Sequence, residues 1–343
     1  MNTNKFFVGF LISACVLVSC SKEVEFSDFD YQTVYFSSQY PVRTIVLGED
    51  MVVDNTLDNQ HKCSIKATLG GMRENNKDIL IDYVVDESLC TNSYFSSTGP
   101  KVLPLPSNYY TLGSSQIKIP TGSIIGGVDV QLAQSFFDDP LAITNNYVLP
   151  LRLTKVNGAD SILRGIAVEG VNNPNRLVDA NWAVKPKDFV LYAIKFVNIW
   201  HGNYLRRGVD EISGSVNKTV SRHKQYVESD EINKLTTRAY KVVAFPTYYT
   251  NSAGANVNLT LLLTFDEKGD CVIASETNGI TATGTGKFVS KGEKNSWGGK
   301  DRDALYLNYT VNIAAQNITA KTLDTLVMRD RAVAPEYYTP VVK

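Results

Sequence analysis

Hydrophobic and polar residues alternate with a period of two through most of this chain. Between positions 305 and 313 one face is apolar and is formed by Leu305, Leu307, Tyr309, Val311 and Ile313. The opposite face consists of Tyr306, Asn308, Thr310 and Asn312. This alternation is typical of a strand with one buried face. Segments 128–132, 147–153 and 257–265 repeat it and no long amphipathic helix interrupts it, so we predict an all-β protein.

Two polar, turn-rich stretches lie near the middle of the chain, at 171–176 and 185–188. Asn, Gly and Pro clusters of this kind punctuate regular structure. They predict a first domain at 26–175 and a second at 186–343. Each is long enough for one β-sandwich or barrel, and the second could close as an eight-stranded up-and-down barrel.

The first residues have the features of an export signal. Lys5 supplies a short basic start, and residues 6–18 are almost wholly apolar or small but too few to span a bilayer as a helix. The segment ends in Leu17-Val18-Ser19-Cys20, which resembles the lipobox of bacterial lipoproteins. This predicts a signal peptide at 1–19 and a lipidated Cys20. An ordinary secretory signal with incidental cysteines is the alternative.

Residues 20–25 form a short linker after the predicted cleavage site. Ser21-Lys22-Glu23-Val24-Glu25 resembles the Lys-plus-acidic signal that sends Bacteroidetes lipoproteins to the outer face of the outer membrane. The resemblance implies a protein that faces the cell exterior and is held by acyl chains.

Charge and cysteine content narrow the classes of function that this sequence can have. Lys plus Arg total 34 and Asp plus Glu 35, which argues against a nucleic-acid binder with a basic surface. Cys63 and Cys90 either form a disulfide, which export permits, or remain buried thiols. No Cys/His cluster has the spacing of metal ligands, so we expect neither a metal nor a cofactor.

Family-specific motifs occur in both halves. In the first domain they are residues 106–112, 117–120, 127–130, 136–142 and 147–153; in the second they are 198–204, 206–208, 284–288, 297–303 and 324–331. The first set resembles the N-terminal Ig-like β-sandwich domain of Bacteroidetes polysaccharide-utilisation lipoproteins, which precedes chitinase-like endoglycosidase domains in some of them. The second set resembles the same group, with a lipocalin-like (calycin-like) antiparallel β-barrel. The resemblance implies a setting of glycan acquisition at the cell surface, with an outer-membrane glycan transporter complex as a partner.

One lipocalin feature can be placed on individual residues. Trp200 near the first barrel strand, with Arg329 or Arg331 on the last, resembles the tryptophan that an arginine covers at the closed end of a lipocalin. The order Trp200-His201-Gly202 reverses the Gly-x-Trp of lipocalins, so the motif departs from the family pattern.

A glycoside hydrolase needs two carboxylates across a sugar-binding cleft. The candidate pairs are Asp301 with Asp303, Asp138 with Asp139, and Asp266 with Glu267. The Asp-x-x-Asp-x-Asp-x-Glu run of chitinase-like enzymes is absent from the sequence, as is βα alternation. We therefore assign no catalytic residue and keep an endo-acting glycoside hydrolase as the alternative, with an adhesin or assembly subunit as a third.

Sugar binding requires exposed aromatic planes beside polar side chains. Trp297 lies in a polar, Gly-rich stretch, and Tyr248 and Tyr249 follow Phe245-Pro246 in a predicted loop. The remaining ligand-binding candidates are Trp200, His201 and Tyr204. We predict a non-catalytic outer-membrane surface lipoprotein that binds an oligo- or polysaccharide or supports its uptake.

Overall fold

A computed structural model describes residues 28–343. Two strand-rich parts follow one another along this range. The strands of the first part are β1 (Thr33–Tyr35), β2 (Pro41–Val46), β3 (Lys62–Gly70), β4 (Ile79–Val85), β5 (Ser93–Tyr94), β6 (Leu103–Pro104), β7 (Tyr110–Leu112), β8 (Gln116–Ile119), β9 (Ile125–Leu132), β10 (Tyr147–Asn157), β11 (Ser161–Ile162), β12 (Ile166–Ala167), β13 (Trp182–Val184) and β14 (Phe189–Val197).

The second part begins at Gly202. Its strands are β15 (Gly202–Gly214), β16 (Lys218–Arg222), β17 (Glu231–Ala239), β18 (Val242–Thr250), β19 (Asn256–Phe265), β20 (Asp270–Ser275), β21 (Ile280–Glu293), β22 (Arg302–Ile313) and β23 (Ile318–Asp330). The chain then returns to the first part with β24 (Glu336–Tyr337), which pairs with β2, and β25 (Val341–Val342), which pairs with β5. The helices are short: α1 (Thr56–Asn59), α2 (Gln134–Phe137) and single 3-10 turns at Glu87–Cys90, Ser107–Tyr109, Pro140–Ile143, Asp179–Asn181, Val227–Ser229, Trp297–Gly299 and Ala314–Gln316.

The N-terminal domain is built on one mixed sheet with the strand order β11-β1-β3-β9-β8-β4-β10-β14-β2-β24. The alternating apolar residues of β3, β9 and β10 pack into a single core. Strand β14 pairs with β10 and with β2, so the chain leaves this sheet only after Val197. The sequence placed residues 186 onward in the second domain, whereas the pairing puts the change of sheet at 198–201. The domain limits themselves stay a prediction.

The C-terminal part is a closed, eight-stranded antiparallel barrel. Strands β17 to β23 follow in order, and β15 closes the barrel by pairing with β17 on one side and β23 on the other. Strand β16 pairs with the second half of β15. Alternate, inward-facing residues of the barrel strands fill the interior with a second core. The prediction of an all-β protein, with a β-sandwich followed by an antiparallel barrel, is confirmed: the N-terminal domain is sheet-rich and the C-terminal barrel is closed.

One buried arginine joins the two parts. We call residues 198–201, where the chain passes from one sheet to the other, the crossover. Arg331 follows β23 and donates to the carbonyl oxygens of Asn198 (2.7 Å) and His201 (2.9 Å), the first and last residues of the crossover. It also donates to the carbonyl of Leu47 (2.7 Å), just after β2. The expected arginine cover of Trp200 takes a different form here, because the guanidinium binds main-chain carbonyls around Trp200.

The cysteines that sequence left open as a disulfide are free thiols. Cys63 lies in β3 within the first core. Cys90 lies in a 3-10 turn and packs in a separate cluster with Phe95 and Val102. The disulfide is therefore not formed, because the two thiols belong to different cores.

The predicted lipidation site, Cys20, lies outside the described residues, as do the signal peptide and the linker at 20–25. Within residues 28–343, no helix has both the length and the apolarity needed to cross a membrane.

Candidate functional site

A groove of about 910 Å³ crosses the outer face of the barrel from β19 to β23. Its two walls are rows of outward side chains that the strand registers align. One row is Thr264, Val272, Thr285, Asn308 and Leu323, and the other is Asp266, Asp270, Lys287, Tyr306 and Thr325. We call this surface the wall groove. Four strand spacings of about 4.8 Å make it roughly 19 Å long.

Glycine shapes the floor of the wall groove. Gly286 faces inward on β21, where a Cβ would lie 2.5 Å from Leu307 Cδ2 and 2.9 Å from Cys271 Sγ. Any side chain would overlap these atoms, so glycine lets this part of the barrel wall approach the core closely. The outer face of the same wall forms the groove.

The walls of the groove are amphipathic. Val272 and Leu323 are 61% and 59% exposed, although strand residues of this type are usually covered. Polar side chains without a partner among residues 28–343 stand between and beside them: Thr264, Thr285, Asn308 and Thr325. The groove therefore offers apolar surface together with hydroxyl and amide groups that are free to bond a ligand.

Charged and aromatic groups line the second row. Lys287 Nζ lies 2.9 Å from Asp270 Oδ1, which neutralises both charges. Tyr306 is half-buried and its hydroxyl donates to Glu293 Oε1 at 2.8 Å. Burial and the Glu293 carboxylate raise the pKa of Tyr306 to about 12, so its phenol stays neutral and its ring is fixed in place.

Behind this wall, the barrel interior contains a network of buried polar groups. Its members are Arg206 and Asp210 of β15, Arg222 of β16, Thr247 and Tyr249 of β18, Tyr309 of β22, and Thr322 and Asp324 of β23. Asp324 accepts from Arg206, Arg222 and Tyr309, each at 2.8–2.9 Å. The two arginines and two aspartates balance in charge, and together they connect strands on opposite sides of the barrel.

Tyrosine hydroxyls complete the network as donors. Burial and the Asp324 carboxylate raise the pKa of Tyr309 well above its ordinary value, so the phenol keeps its proton. Burial also raises the pKa of Tyr249 to about 12, and its hydroxyl lies 2.8 Å from Thr322 Oγ1. The neutral phenol of Tyr309 donates to the Asp324 carboxylate without adding charge, and Tyr249 reaches Asp210 only through the Thr322 hydroxyl.

Three of the predicted ligand contacts lie in the barrel core, which corrects their expected position. Trp200 is 5% exposed and stacks on Phe265 with 4.0 Å between ring centroids. Tyr204 is fully buried and donates to the carbonyl of Trp200. Tyr249 belongs to the interior network. Their aromatic faces are covered by protein, so they present no plane to a soluble ligand.

His201, also named as a ligand candidate, is 8% exposed. Its Nδ1 accepts a hydrogen bond from the Thr237 amide at 3.2 Å. Burial, and then the charge of Arg331, lower the pKa of His201 to about 4, which keeps the imidazole neutral. The structure places it as a linker between the crossover and β17.

Tyr248 is the candidate that reaches the surface, with 43% of its area exposed. The predicted loop after Phe245-Pro246 is instead part of β18. Pro246 is accommodated because the pairing of β17 with β18 extends only to Ala244, which leaves this edge of β18 without a ladder partner.

Trp297 is half-buried in the 3-10 turn before β22. The Arg302 guanidinium lies over its ring at 4.2 Å, and its Nε1 donates to the carbonyl of Met328 at 3.4 Å. One face of this ring is thus occupied by protein, and the side chain lies beside the domain junction instead of at a free barrel end.

The carboxylate pair at 301 and 303 is held by neighbouring main-chain amides. Asp301 accepts from the Asn295 amide and pairs with Lys294 at 3.0 Å. These contacts lower the pKa of Asp301, the opposite of the shift that a general acid needs. Asp303 accepts from the Lys291 amide at 2.8 Å.

The other two pairs are parts of turns. Asp138 accepts from a side-chain amide, and Asp139 accepts from two tyrosine hydroxyls and the amide of Leu141. Asp266 accepts two main-chain amides of its own hairpin, and Glu267 pairs with Lys241.

Sequence reasoning named Asp266 of the wall groove and Tyr249 of the network for other roles, and it missed the other residues of both. Tyr306 and Asn308 belong to the polar face that the alternation at 305–313 predicts, but the alternation does not show that this face lines a groove. Arg206 and Asp324 lie in family-like motifs, and nothing local in the sequence indicates that both are buried and paired.

Comparisons with known proteins place the chain in a family. A profile for a domain of unknown function (DUF5627) matches residues 199–332, and a profile described as a "-like, N-terminal domain" matches residues 29–160. A Bacteroides ovatus protein of unknown function, with a crystal structure at 2.40 Å, is 49% identical. The two structures agree with a TM-score of 0.87, over 92% of this chain and 100% of the other. The chain belongs to the family of this Bacteroides ovatus protein.

In this chain the DUF5627 match begins at residue 199, within the segment 198–201 that crosses between the two sheets. A second solved structure, of a proposed carbohydrate-binding protein from Bacteroides ovatus, is 13% identical and covers 88% of this chain and 99% of its own. Its TM-score of 0.29 is too low to support any argument about fold or function. No curated protein sequence matches the chain.

Proposed function

We propose that this protein binds glycan at the cell surface, and that the sugar occupies the wall groove. The observation that carries the proposal is the alternation, along one groove, of exposed apolar side chains with hydroxyl and amide groups that lack a partner among residues 28–343.

A pyranose ring has the matching chemistry. Its C–H groups form an apolar face and its hydroxyls form a polar rim, so it gains from apolar surface and hydrogen-bond partners together. Val272 and Leu323 supply the apolar surface, and Asn308, which lies between them in the same row, supplies one donor pair and one acceptor. Tyr306 adds a rigid aromatic edge that loses little entropy on binding.

Variants at the centre of the groove test the proposal. We expect Asn308→Ala to weaken binding about tenfold, the effect of losing one or two hydrogen bonds. Tyr306→Ala should weaken it at least as much. Thr310→Ala is the matched control, because Thr310 lies on the same face of β22 outside the groove.

Affinity gel electrophoresis against soluble xylan, mannan, glucan, pectin and mucin identifies a ligand, and titration calorimetry then measures each variant. Wild-type protein that binds none of these glycans contradicts the function. Binding that survives both groove variants and is lost with Trp297→Ala moves the site to the domain junction.

The cell-surface part of the proposal rests on the lipobox at Cys20 and the acidic linker that follows it. We expect Cys20→Ala to abolish labelling by an alkyne fatty acid and to release the protein from the membrane fraction. Digestion of intact cells with proteinase K should remove the wild-type protein. Protection from the protease would place it on the inner leaflet and separate it from a surface glycan transporter.

A further inference from the structure

The two rows of the wall groove continue past β23. In the register of β15, Arg207 lies opposite Thr325 and Val209 lies opposite Leu323. In the register of β16, Ser221 lies opposite Val209. The first row therefore extends over two more strands and the second over one, and both extensions face outward.

We propose that the barrel binds a linear polysaccharide chain along this longer surface, across seven strands from β19 to β23 and then over β15 and β16. We call it the extended groove. The inference rests on glycan binding in the wall groove and adds the class of ligand: a chain of several consecutive sugars, bound lengthwise, instead of a single sugar or a chain end.

The floor supports continuity. Gly208 faces inward on β15, in line with Asp324. A Cβ there would lie 2.1 Å from Asp324 Oδ1 and 2.4 Å from the Leu323 carbonyl oxygen. Glycine at this position, like Gly286 on β21, lets the wall approach the interior closely, so the floor stays low where the groove crosses β15.

The walls keep the same chemical character. Val209 is 38% exposed and continues the line of exposed apolar side chains that begins with Val272 and Leu323. On the other side, Arg207 Nη1 lies 3.4 Å from His223 Nε2, and Asp230 binds the same guanidinium. The extension thus pairs an apolar wall with a wall of hydrogen-bonding groups.

The dimensions favour a chain. The rows follow the curved surface of the barrel, so six strand spacings of about 4.8 Å give an arc of roughly 29 Å, against roughly 19 Å for the wall groove alone. A monosaccharide would contact only two or three strands and would leave most of the exposed apolar line uncovered. A linear chain covers the whole line.

The test is a chain-length series from disaccharide to octasaccharide of xylo-, manno-, cello- and malto-oligosaccharides, measured by calorimetry. We expect wild-type affinity to rise with length until the groove is filled. Ser221→Arg should block the far end and weaken the octasaccharide about tenfold or more, while the trisaccharide is unaffected. Thr219→Arg is the matched control, since Thr219 is on the same face of β16 outside both rows.

Val209→Asn is a second variant with a smaller change in shape, and it should show the same dependence on length. Tyr306→Ala should weaken short and long chains alike. If Tyr306→Ala weakens binding and neither Ser221→Arg nor Val209→Asn alters the length dependence, the extended groove is wrong and the wall groove stands. An equal loss at every length in either variant also contradicts the extension. If no oligosaccharide binds the wild type, the proposed function itself fails.

Discussion

The guanidinium of Arg206 lies 2.9 Å from the carboxylate of Asp324 inside the barrel, and the two side chains are 2% and 0% exposed. A buried ion pair of this kind is costly to desolvate and is stable only when both charges are fully compensated. Here Arg222 and Tyr309 complete the set of donors around Asp324. The pair therefore favours one closed arrangement of β15 against β23.

Removing one partner should be strongly destabilising. Arg206→Met leaves Asp324 with one guanidinium and one phenol, and we expect a loss of about 3–5 kcal/mol in the free energy of unfolding. Arg238→Met is the control, because the Arg238–Glu276 pair is 46% and 41% exposed and should contribute less than about 1 kcal/mol. Guanidinium unfolding followed by circular dichroism measures both. Equal unfolding midpoints for the two variants would contradict a stabilising role of the Arg206–Asp324 pair.

Gly286 should be needed for both stability and ligand binding. Its absent Cβ would stand 2.5 Å from Leu307 Cδ2, so Gly286→Ala forces the wall away from the core. We expect the free energy of unfolding to fall by about 1–3 kcal/mol, which is typical of overpacking. We also expect weaker ligand binding in the wall groove. Gly113→Ala, whose Cβ would meet its nearest atom at 3.5 Å, is the control and should change little. Unchanged stability in Gly286→Ala would show that the wall can adjust.

The fold could be predicted from local pattern because one face of each barrel strand is buried. The alternation at 305–313 predicted the inward residues of β22 correctly. In a half-buried sheet the apolar residues of a strand must face the core, because a shift of one residue would turn all of them toward solvent. The change of sheet at 198–201 could not be predicted, because the polar stretches near 175–186 mark turns and say nothing about which sheet β14 joins.

The candidate site was only partly predictable, for a related reason. Tyr248 was identified as exposed, but Tyr204, Tyr249 and Trp200 pack inside the barrel, and an aromatic residue in sequence carries no sign of its direction. Whether Tyr306 lines a groove depends on how the five strands β19 to β23 are aligned with one another. These registers are set by contacts between residues far apart in sequence, which local pattern does not show.

Arg331 should control the rigidity of the domain junction. It binds carbonyls at both ends of the crossover and on the loop after β2, which a planar guanidinium can do at once. Arg331→Lys should expose the segment after Leu47 to limited proteolysis and to faster amide exchange. Arg329→Lys is the control, since Arg329 is 42% exposed and 3.8 Å from its acidic neighbour. Identical exchange in both variants would place the rigidity elsewhere.

The thiols at Cys63, Cys90 and Cys271 should all be free in the mature protein. Burial raises the pKa of each to about 12, so we expect no reaction with Ellman's reagent in the native state. After unfolding in guanidinium without reductant, all of them should react. A deficit of two thiols, restored by reductant, would show that Cys63 and Cys90 are bonded after all.

His201 should make stability fall as the pH is lowered. Its pKa is about 4 when folded and ordinarily 6.5, so the unfolded chain binds a proton in a range where the folded protein does not. Stability from the neutral imidazole is complete above pH 6.5 and is lost as the pH falls toward 4, by about 3 kcal/mol in total.

His201→Asn keeps an acceptor for the Thr237 amide and does not titrate. Its unfolding free energy should therefore fall less than that of the wild type between pH 6.5 and 4.5. Because His61, whose pKa burial also lowers, is present in both proteins, the difference between the two curves isolates His201. Parallel curves would mean that His201 has the same pKa in the folded and unfolded states, and would contradict this prediction.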